Sequence, residues 1–251
     1  MPLVVRYLNF ASFQLVTERG TNVLIDPWLA GSESEGVPPS PLTLADLSPV
    51  DLVLVSHAGF DHLGDSIEIV KKTGAMLYCG GDVRELAREQ GVPAGQIMGM
   101  VWGISLRHKD VSVKAVHSQH ISFVNTAKGY FTGMPLGFVV TTDDGQSVYY
   151  PGDTALYSGL QLIGQLYKPD IALLHVGGFF RNGQRMSEMS PLEAAIAARF
   201  LDVKIAVPMH YMPDDVEVVE QFGRHLRKES PQTELKVLKP GDSFTFSRVG
   251  T

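Results

Sequence analysis

The stretch that decides the fold is Ser56-His57-Ala58-Gly59-Phe60-Asp61-His62-Leu63-Gly64-Asp65, which follows a continuous apolar run at Leu52–Val55. A short apolar run of this kind is typical of a strand buried on both faces. Behind it, His57, Asp61 and His62 carry imidazole and carboxylate groups, which are common metal ligands. A loop can fold back so that neighbouring side chains reach the same cation. The sequence therefore predicts a metal site at the end of this strand.

Three more residues of types that bind metals follow predicted strands elsewhere in the chain. They are His117 after Val111–Val116, Asp153 after Ser147–Tyr150, and His210 after Ile205–Met209. Because four strands each end in such a residue, we expect the strand ends to meet around a divalent cation. Imidazole and carboxylate together suit zinc or manganese, with iron and nickel as alternatives, at one or two ions per chain.

The order of predicted elements favours two packed sheets over a doubly wound parallel sheet. The opening strands and the Asp143–Gln146 turn are typical of antiparallel pairing, whereas strands and helices alternate later. The other predicted strands are Leu3–Leu8, Ser12–Thr17, Asn22–Ile25, Ala75–Cys79, Leu136–Thr142, Ile171–Leu174, Leu235–Leu238 and Ser243–Phe246. The predicted helices are Ser66–Lys72, Asp82–Gln90, one begun by the capping box Ser190-Pro191-Leu192-Glu193, and Asp214–Lys228. We expect an α/β (α+β) fold, a four-layer αββα sandwich in one domain over residues 1–251.

Composition narrows the class of protein. The 251 residues are 44% hydrophobic and 19% charged, which supplies a sizeable core and excludes disorder as the main state. The net charge of −6 disfavours nucleic acid as a partner. A single cysteine, Cys79, excludes an intramolecular disulfide and a cysteine-rich zinc cluster.

We expect no membrane partner and a cytoplasmic location. No stretch approaches the roughly 18–20 apolar residues that span a bilayer. The longest candidate, Ile171–Phe180, is interrupted by His175 and two glycines. Met1–Phe13 has strand composition rather than that of a signal peptide.

Because of these residues, the sequence resembles the metallo-β-lactamase superfamily. Within it, the chain is most similar to the small metal-dependent hydrolases related to L-ascorbate-6-phosphate lactonase. The matching segments are Ser56–Asp65, His117, Tyr150–Thr154, Pro208–Tyr211, Asn22–Pro27, and the Gly177-Gly178 pair before the Pro191–Ala194 helix start. The resemblance implies an αββα sandwich with a metal site along one edge of the two sheets. It also implies that Asp26 is a structural aspartate.

One departure from the family's His-x-His-x-Asp-His motif concerns the metal site. Gly59 stands where the second histidine belongs. The resemblance implies a first metal on His57, the missing histidine and His117. It implies a second metal on Asp61, His62 and His210, with Asp153 bridging both ions.

Three interpretations of Gly59 remain open. The protein holds one metal, it holds two with the gap filled, or it is a degenerate member that no longer catalyses. His120 and His175 are candidate replacements for the missing ligand. Under the family's ligand assignment, Gly59→His should raise the affinity for the second ion.

The predicted activity is hydrolysis of a small ester, lactone or phosphoester by a metal-activated water, with Asp61 orienting or deprotonating that water. The sequence lacks the Gly-x-Ser-x-Gly elbow of a serine nucleophile and the common dinucleotide and P-loop fingerprints. The alternatives are a non-catalytic metal-binding member of the fold and a phosphodiesterase or nuclease.

The substrate is scarcely specified by the sequence. Arg181 and Arg185 lie in a glycine-rich segment and would suit an anionic substrate, unless that segment is a solvated loop. Phe123, Tyr130 and Phe131 are candidates for a pocket wall. A homo-oligomer is compatible with the sequence.

Overall fold

Two seven-stranded sheets form the centre of the chain in a computed structural model, which describes residues 2–248. In spatial order, the first sheet contains β18 (Ser243–Phe246), β1 (Leu3–Asn9), β2 (Ser12–Val16), β3 (Asn22–Ile25), β4 (Leu52–Val55), β5 (Met76–Cys79) and β6 (Ile97–Gly99). The second contains β17 (Glu234–Leu235), β16 (Ile205–Met209), β13 (Ile171–His175), β12 (Ser147–Tyr150), β11 (Leu136–Thr142), β8 (Val111–His117) and β7 (Ser105–His108).

Each sheet is antiparallel on one side and parallel on the other. In the first sheet, pairing is antiparallel from β18 to β3 and parallel from β3 to β6. In the second, it is antiparallel from β7 to β12 and parallel from β12 to β17. The carboxyl ends of parallel strands reach the same edge of a sheet, where open α/β sheets bind their ligands.

Helices cover the outer faces of both sheets. They are α1 (Leu44–Leu47), α2 (Phe60–Leu63), α3 (Ser66–Thr73), α4 (Gly81–Glu89), α5 (Gly159–Tyr167), α6 (Pro191–Leu201) and α7 (Val216–Glu229). Buried residues of both sheets, such as Leu54 and Phe138, share one core cluster between the sheets. Val70 of α3 packs on the first sheet's outer face, and Phe222 of α7 packs on that of the second. The predicted αββα sandwich is confirmed.

The capping box at Ser190 was predicted correctly. The Ser190 hydroxyl accepts from the backbone N–H of Glu193, and the Glu193 carboxylate accepts from the backbone N–H of Ser190 at 2.7 Å. These reciprocal bonds satisfy amides that would otherwise lack a partner at the helix start. None of the helices within residues 2–248 is long and apolar enough to cross a membrane.

Some elements differ from the prediction. The hairpin of β9 (Ser122–Thr126) and β10 (Gly129–Gly133) was missed because its strands are short and largely exposed. The same holds for the smaller hairpin of β14 (Phe180–Arg181) and β15 (Gln184–Arg185). Helix α5 was missed because it begins at Gly159 and contains Gly164, and glycine disfavours a helix. The strand predicted over Leu235–Leu238 covers only Glu234–Leu235, because Leu238 packs into the core between the sheets instead.

Candidate metal centre

Two sheets supply the side chains of the candidate site. In the first sheet, β4 ends at Val55 and leads to His57, and the short helix α2 carries Asp61 and His62. In the second sheet, Asp153 follows β12 and His210 follows β16. The strand ends therefore converge on one edge of the sandwich.

The close approach of the sheets at this edge depends on Gly152. Its φ is +62°, in the left-handed region, and a Cβ atom there would lie 2.8 Å from Cβ of Ser56. Both the conformation and the space therefore require glycine immediately before Asp153.

Four buried donors form the densest group: Asp61, His62, Asp153 and His210. One ligand atom from each lies within 4.8 Å of every other. Nε2 of His62 is 3.2 Å from Oδ1 of Asp153, and Nε2 of His210 is 3.1 Å from Oδ2 of Asp61 and 3.4 Å from Oδ2 of Asp153.

The orientation of these donors fits a cation. Among the described residues, Nε2 of His62 and Oδ1 of Asp153 have no hydrogen-bond partner although both are buried. A buried polar atom without a partner costs free energy unless a ligand or ion satisfies it. Two imidazoles and two carboxylates match the donor preferences of zinc, manganese and iron.

The Asp26 carboxylate fixes the orientation of His62 by accepting a hydrogen bond from Nδ1 of its ring. Its Oδ2 accepts from Nδ1–H of His62 at 2.6 Å and from the Tyr150 hydroxyl at 2.7 Å, and its Oδ1 accepts from the backbone N–H of Ser56 at 2.7 Å. With the proton on Nδ1, Nε2 of His62 is left to face Asp153. Such a carboxylate behind a histidine fixes the tautomer and the ring orientation of a metal ligand.

Two more histidines are oriented in the same way. Nδ1 of His210 lies 3.2 Å from the carbonyl oxygen of Gly177, to which it donates, so Nε2 faces Asp61. Nδ1 of His57 lies 3.0 Å from the Ser56 hydroxyl. That hydroxyl donates to Asp26 and can therefore accept from His57. All three rings thus direct Nε2 toward the same space.

Burial and neighbouring charges shift the pKa values of the three histidines in different directions. Burial alone would lower the pKa of His210, but the carboxylates of Asp153 and Asp61 outweigh it and raise that pKa to about 10. Burial also opposes the charged form of His62, whose pKa is nevertheless raised by Asp153 and Asp61. The pKa of His57 is lowered, first by burial and then by the neighbouring His62.

His117 and His120 have different surroundings. No described group of potential ligands includes His117, whose ring packs edge-on against Trp102 and Tyr157 at centroid distances of 4.3 and 4.8 Å. His120, in contrast, forms a group of potential ligands with His57 and Asp153.

His175 lies behind the group without joining it. Its side chain is fully buried, and its ring centroid is 6.0 Å from that of His210. Neither ring nitrogen has a hydrogen-bond partner among residues 2–248. Burial lowers the pKa of His175 to about 3, so this imidazole is neutral.

A cavity of about 410 Å³ opens over the site. Its walls carry the apolar side chains of Ala58, Phe60, Ile121, Phe123, Phe179 and Met186. Of the described residues that line it, none is lysine or arginine. Arg181 and Arg185 instead form ion pairs with Glu35 and Asp215.

A larger cavity, of about 760 Å³, lies elsewhere beside Asp170. The Asp170 carboxylate is already paired with Lys204 at 2.9 Å and with Arg248 at 2.9 Å. No group of potential metal ligands in the described part of the chain includes Asp170. The smaller cavity is therefore the candidate site.

Sequence reasoning missed several residues of this site. The hydroxyls of Ser56 and Tyr150 reach Asp26, and the carboxylate of Glu188 lies 3.6 Å from Nδ1 of His120. Ser56 and Tyr150 belong to the motifs Ser56–Asp65 and Tyr150–Thr154 that the sequence already indicated. Their place in those motifs, close to predicted metal ligands, could have identified them. Glu188 lies in an irregular segment, and nothing in the sequence marks it.

Comparisons with known proteins place the chain among metal-dependent hydrolases. Residues 21–211 match the family described as "Beta-lactamase superfamily domain". A "UPF0173 metal-dependent hydrolase" of Rubrobacter xylanophilus is 38% identical over 96% of this chain and 95% of its own length. One from Methanopyrus kandleri is 36% identical over 96% of this chain and 98% of its own. The solved structure of Igni18, a metallo hydrolase of Ignicoccus hospitalis, has a TM-score of 0.78 and 27% identity, covering 98% of this chain and 99% of that chain.

Proposed function

Because the chain belongs to the beta-lactamase superfamily, and within it to the UPF0173 metal-dependent hydrolases, we propose that it hydrolyses a small, uncharged and largely apolar ester or lactone. The cation is zinc or manganese. The primary ligands are the four buried donors Asp61, His62, Asp153 and His210.

The convergence of those four donors below an open cavity carries this proposal. A divalent cation held there supplies a water of lowered pKa and polarises the substrate oxygen that develops negative charge. The protein supplies the orientation. Asp26 and the Gly177 carbonyl fix the rings of His62 and His210, so these donors need no rearrangement to bind.

Asp61 is the proposed proton acceptor of the reaction. Its carboxylate lines the cavity and lies 3.1 Å from Nε2 of His210. Burial raises the pKa of this carboxyl, but His62 and His210 outweigh burial and keep it below its usual range. Asp61 is therefore ionised at neutral pH and can orient an attacking water or take its proton.

The cavity walls support an uncharged substrate over a phosphoester. Recognition of phosphate normally uses arginine or lysine, and none lines the described cavity. Aromatic and aliphatic side chains such as Phe123, Phe179 and Met186 would bury an apolar acyl or alcohol group. The two arginines of the glycine-rich segment are occupied by carboxylates.

The test compares neutral aryl esters and lactones with phosphate monoesters and diesters. Each is assayed on chelated protein and on protein reloaded with Zn²⁺ or Mn²⁺. We expect turnover of the neutral substrates only after reloading, and its loss in Asp153→Asn. Asp110→Asn is the matched control, since Asp110 is a buried carboxylate outside the site that accepts from Thr21.

Other outcomes of this test select another function. Turnover confined to phosphodiesters would favour a phosphodiesterase or nuclease of the same fold. Bound metal without turnover of any substrate would favour a non-catalytic member. Full activity in Asp153→Asn or in chelated protein would contradict the proposed hydrolase.

A cytoplasmic location and a homo-oligomeric state stay predictions.

A further inference from the structure

Gly59 provides space for a neighbouring ring, and its backbone conformation is an ordinary one. Its φ of −53° and ψ of 138° are accessible to any residue, so the backbone does not require glycine. A Cβ atom at this position would lie 2.6 Å from Nε2 of His57 and 3.2 Å from Oδ1 of Asp61. The His57 ring therefore occupies the space in which a side chain at position 59 would begin.

In this position, His57 lies beside His120, in the turn that follows β8 of the second sheet. The rings of His57 and His120 meet edge-on with their centroids 4.7 Å apart. Together with Asp153 they offer three ligand atoms within 4.8 Å of one another. Oδ2 of Asp153 is 3.9 Å from Nε2 of His57, and Oδ1 is 3.2 Å from Nε2 of His62. The Asp153 carboxylate thus lies between two groups of donors.

The turn that carries His120 is fixed to the segment that carries Asp153. The Ser118 hydroxyl donates to the backbone carbonyl of Asp153 at 2.6 Å. The Thr154 hydroxyl accepts from the backbone N–H of Gln119 at 2.8 Å. Because the residues on both sides are tied together, the position of His120 relative to Asp153 is set by the fold.

His117 is fixed in a different environment. Its half-buried ring is flanked by Trp102 and Tyr157, and the Tyr157 hydroxyl donates to its backbone carbonyl at 2.6 Å. Moving this ring into the site would require giving up both aromatic contacts.

We infer that His120 replaces the imidazole missing at position 59, so that His57, His120 and Asp153 bind a second divalent cation and Asp153 is shared by both ions. This inference rests on the proposed function, since it adds a cation to the same centre. Three protein donors leave a coordination position open, as in catalytic zinc sites. His57, His120 and Asp153 all line the cavity, so this position faces the proposed substrate.

The two ions should bind with unequal affinity. The first group supplies four donors, whereas the second supplies two imidazoles and a shared carboxylate. Titration of chelated protein with Zn²⁺ or Co²⁺ should therefore show one tight and one weaker equivalent. The Co²⁺ absorption spectrum reports each environment separately, without any measurement of turnover.

The deciding comparison is between His120→Ala and His117→Ala. We expect His120→Ala to lose the weaker equivalent and its Co²⁺ bands while keeping the tight one. His117→Ala should keep both. Gly59→Ala provides a separate test, since it retains every donor but pushes the His57 ring aside, and it should also lose the weaker equivalent. Thermal unfolding of each metal-free variant checks that it is folded.

Each other outcome has a definite meaning. Two retained equivalents in His120→Ala, or loss of one in His117→Ala, would overturn the inference. A single equivalent in the unmodified protein would overturn it while leaving the proposed function intact. Absence of any bound metal in the unmodified protein would contradict the proposed function as well.

Discussion

The glycine at position 59 leaves the space that the ring of His57 occupies. The sequence predicts that a histidine of the family's motif is missing there, with His120 and His175 as candidates to replace it. The sequence does not show which of His117 and His120 lies beside His57, because the two are only three residues apart. Their environments differ in the folded chain, where Trp102 and Tyr157 flank the ring of His117 and His57 contacts that of His120.

The same geometry reverses one expectation from the sequence. Gly59→His was expected to raise the affinity for the second ion. Its Cβ atom would lie 2.6 Å from Nε2 of His57, so we now expect the new side chain to displace His57. The second ion should bind more weakly as a result.

Two adjacent tyrosines allow a matched test of the support behind His62. Tyr150 and Tyr149 are both fully buried, but only the Tyr150 hydroxyl reaches Asp26, while that of Tyr149 has no partner among the described residues. Tyr150→Phe removes a hydrogen bond to a carboxylate and should lower the free energy of unfolding by about 1.5–3 kcal/mol. Tyr149→Phe should leave it nearly unchanged or raise it slightly. Urea unfolding of the metal-free proteins measures both, and equal losses would contradict the role of Asp26.

Among the secondary-structure elements, the buried parallel strands were predicted well and the hairpin at the site was not. Strands such as β4 and β16 are continuously apolar because both of their faces are covered. The β9–β10 hairpin packs against α4 and carries exposed residues, so it lacks that pattern. It nevertheless contributes Phe123 to the cavity, which confirms one of the three predicted wall residues.

The hairpin's contribution to substrate binding can be tested with two phenylalanines. Phe123 and Phe180 are 45% and 48% exposed, but only Phe123 lines the cavity, where it stacks on Tyr130 at 5.3 Å. Phe123→Ala should raise KM for a bulky aryl ester by about tenfold, since about 1.5 kcal/mol, the low end of the range for burying an apolar side chain, corresponds to that factor. It should affect a short acetate ester much less. Phe180→Ala is the control, and similar KM values for Phe123→Ala and the unmodified enzyme would exclude the hairpin from the substrate site.

For the whole molecule, the candidate metal centre lies between two sheets whose strands are distant in sequence. His57, Asp61 and His62 follow a strand of the first sheet, whereas Asp153 and His210 follow strands of the second. The two-sheet fold could be predicted because the continuously apolar strands are visible in the sequence, as are the histidines and aspartates that follow them. The orientation of each ring could not, since it depends on packing between segments that are far apart in the chain.

Metal should therefore stabilise the whole sandwich, increasingly so at higher pH. A cation at 100 times its Kd adds about 2.7 kcal/mol to the free energy of unfolding. Below pH 10 the cation must displace the proton of His210, whose pKa is raised from 6.5 to about 10, so metal affinity rises with pH. That proton stabilises the metal-free fold fully below pH 6.5 and progressively less as pH rises toward 10.

Thermal unfolding at pH 6.5 and pH 8.5, with excess Zn²⁺ or with chelator, measures this difference. The gap in Tm between the two forms should widen at pH 8.5. Asp153→Asn should show little gap at either pH. A gap that narrows with rising pH would show that no histidine proton is displaced by the metal.

The Asp26 carboxylate accepts from Ser56, next to one sheet, and from Tyr150 of the other, and none of these three residues is a proposed metal ligand. The two halves of the candidate centre are therefore joined by a contact between the protein's own groups. A chelator should withdraw the ion without separating the two layers that hold it, so one molecule can be emptied and refilled repeatedly.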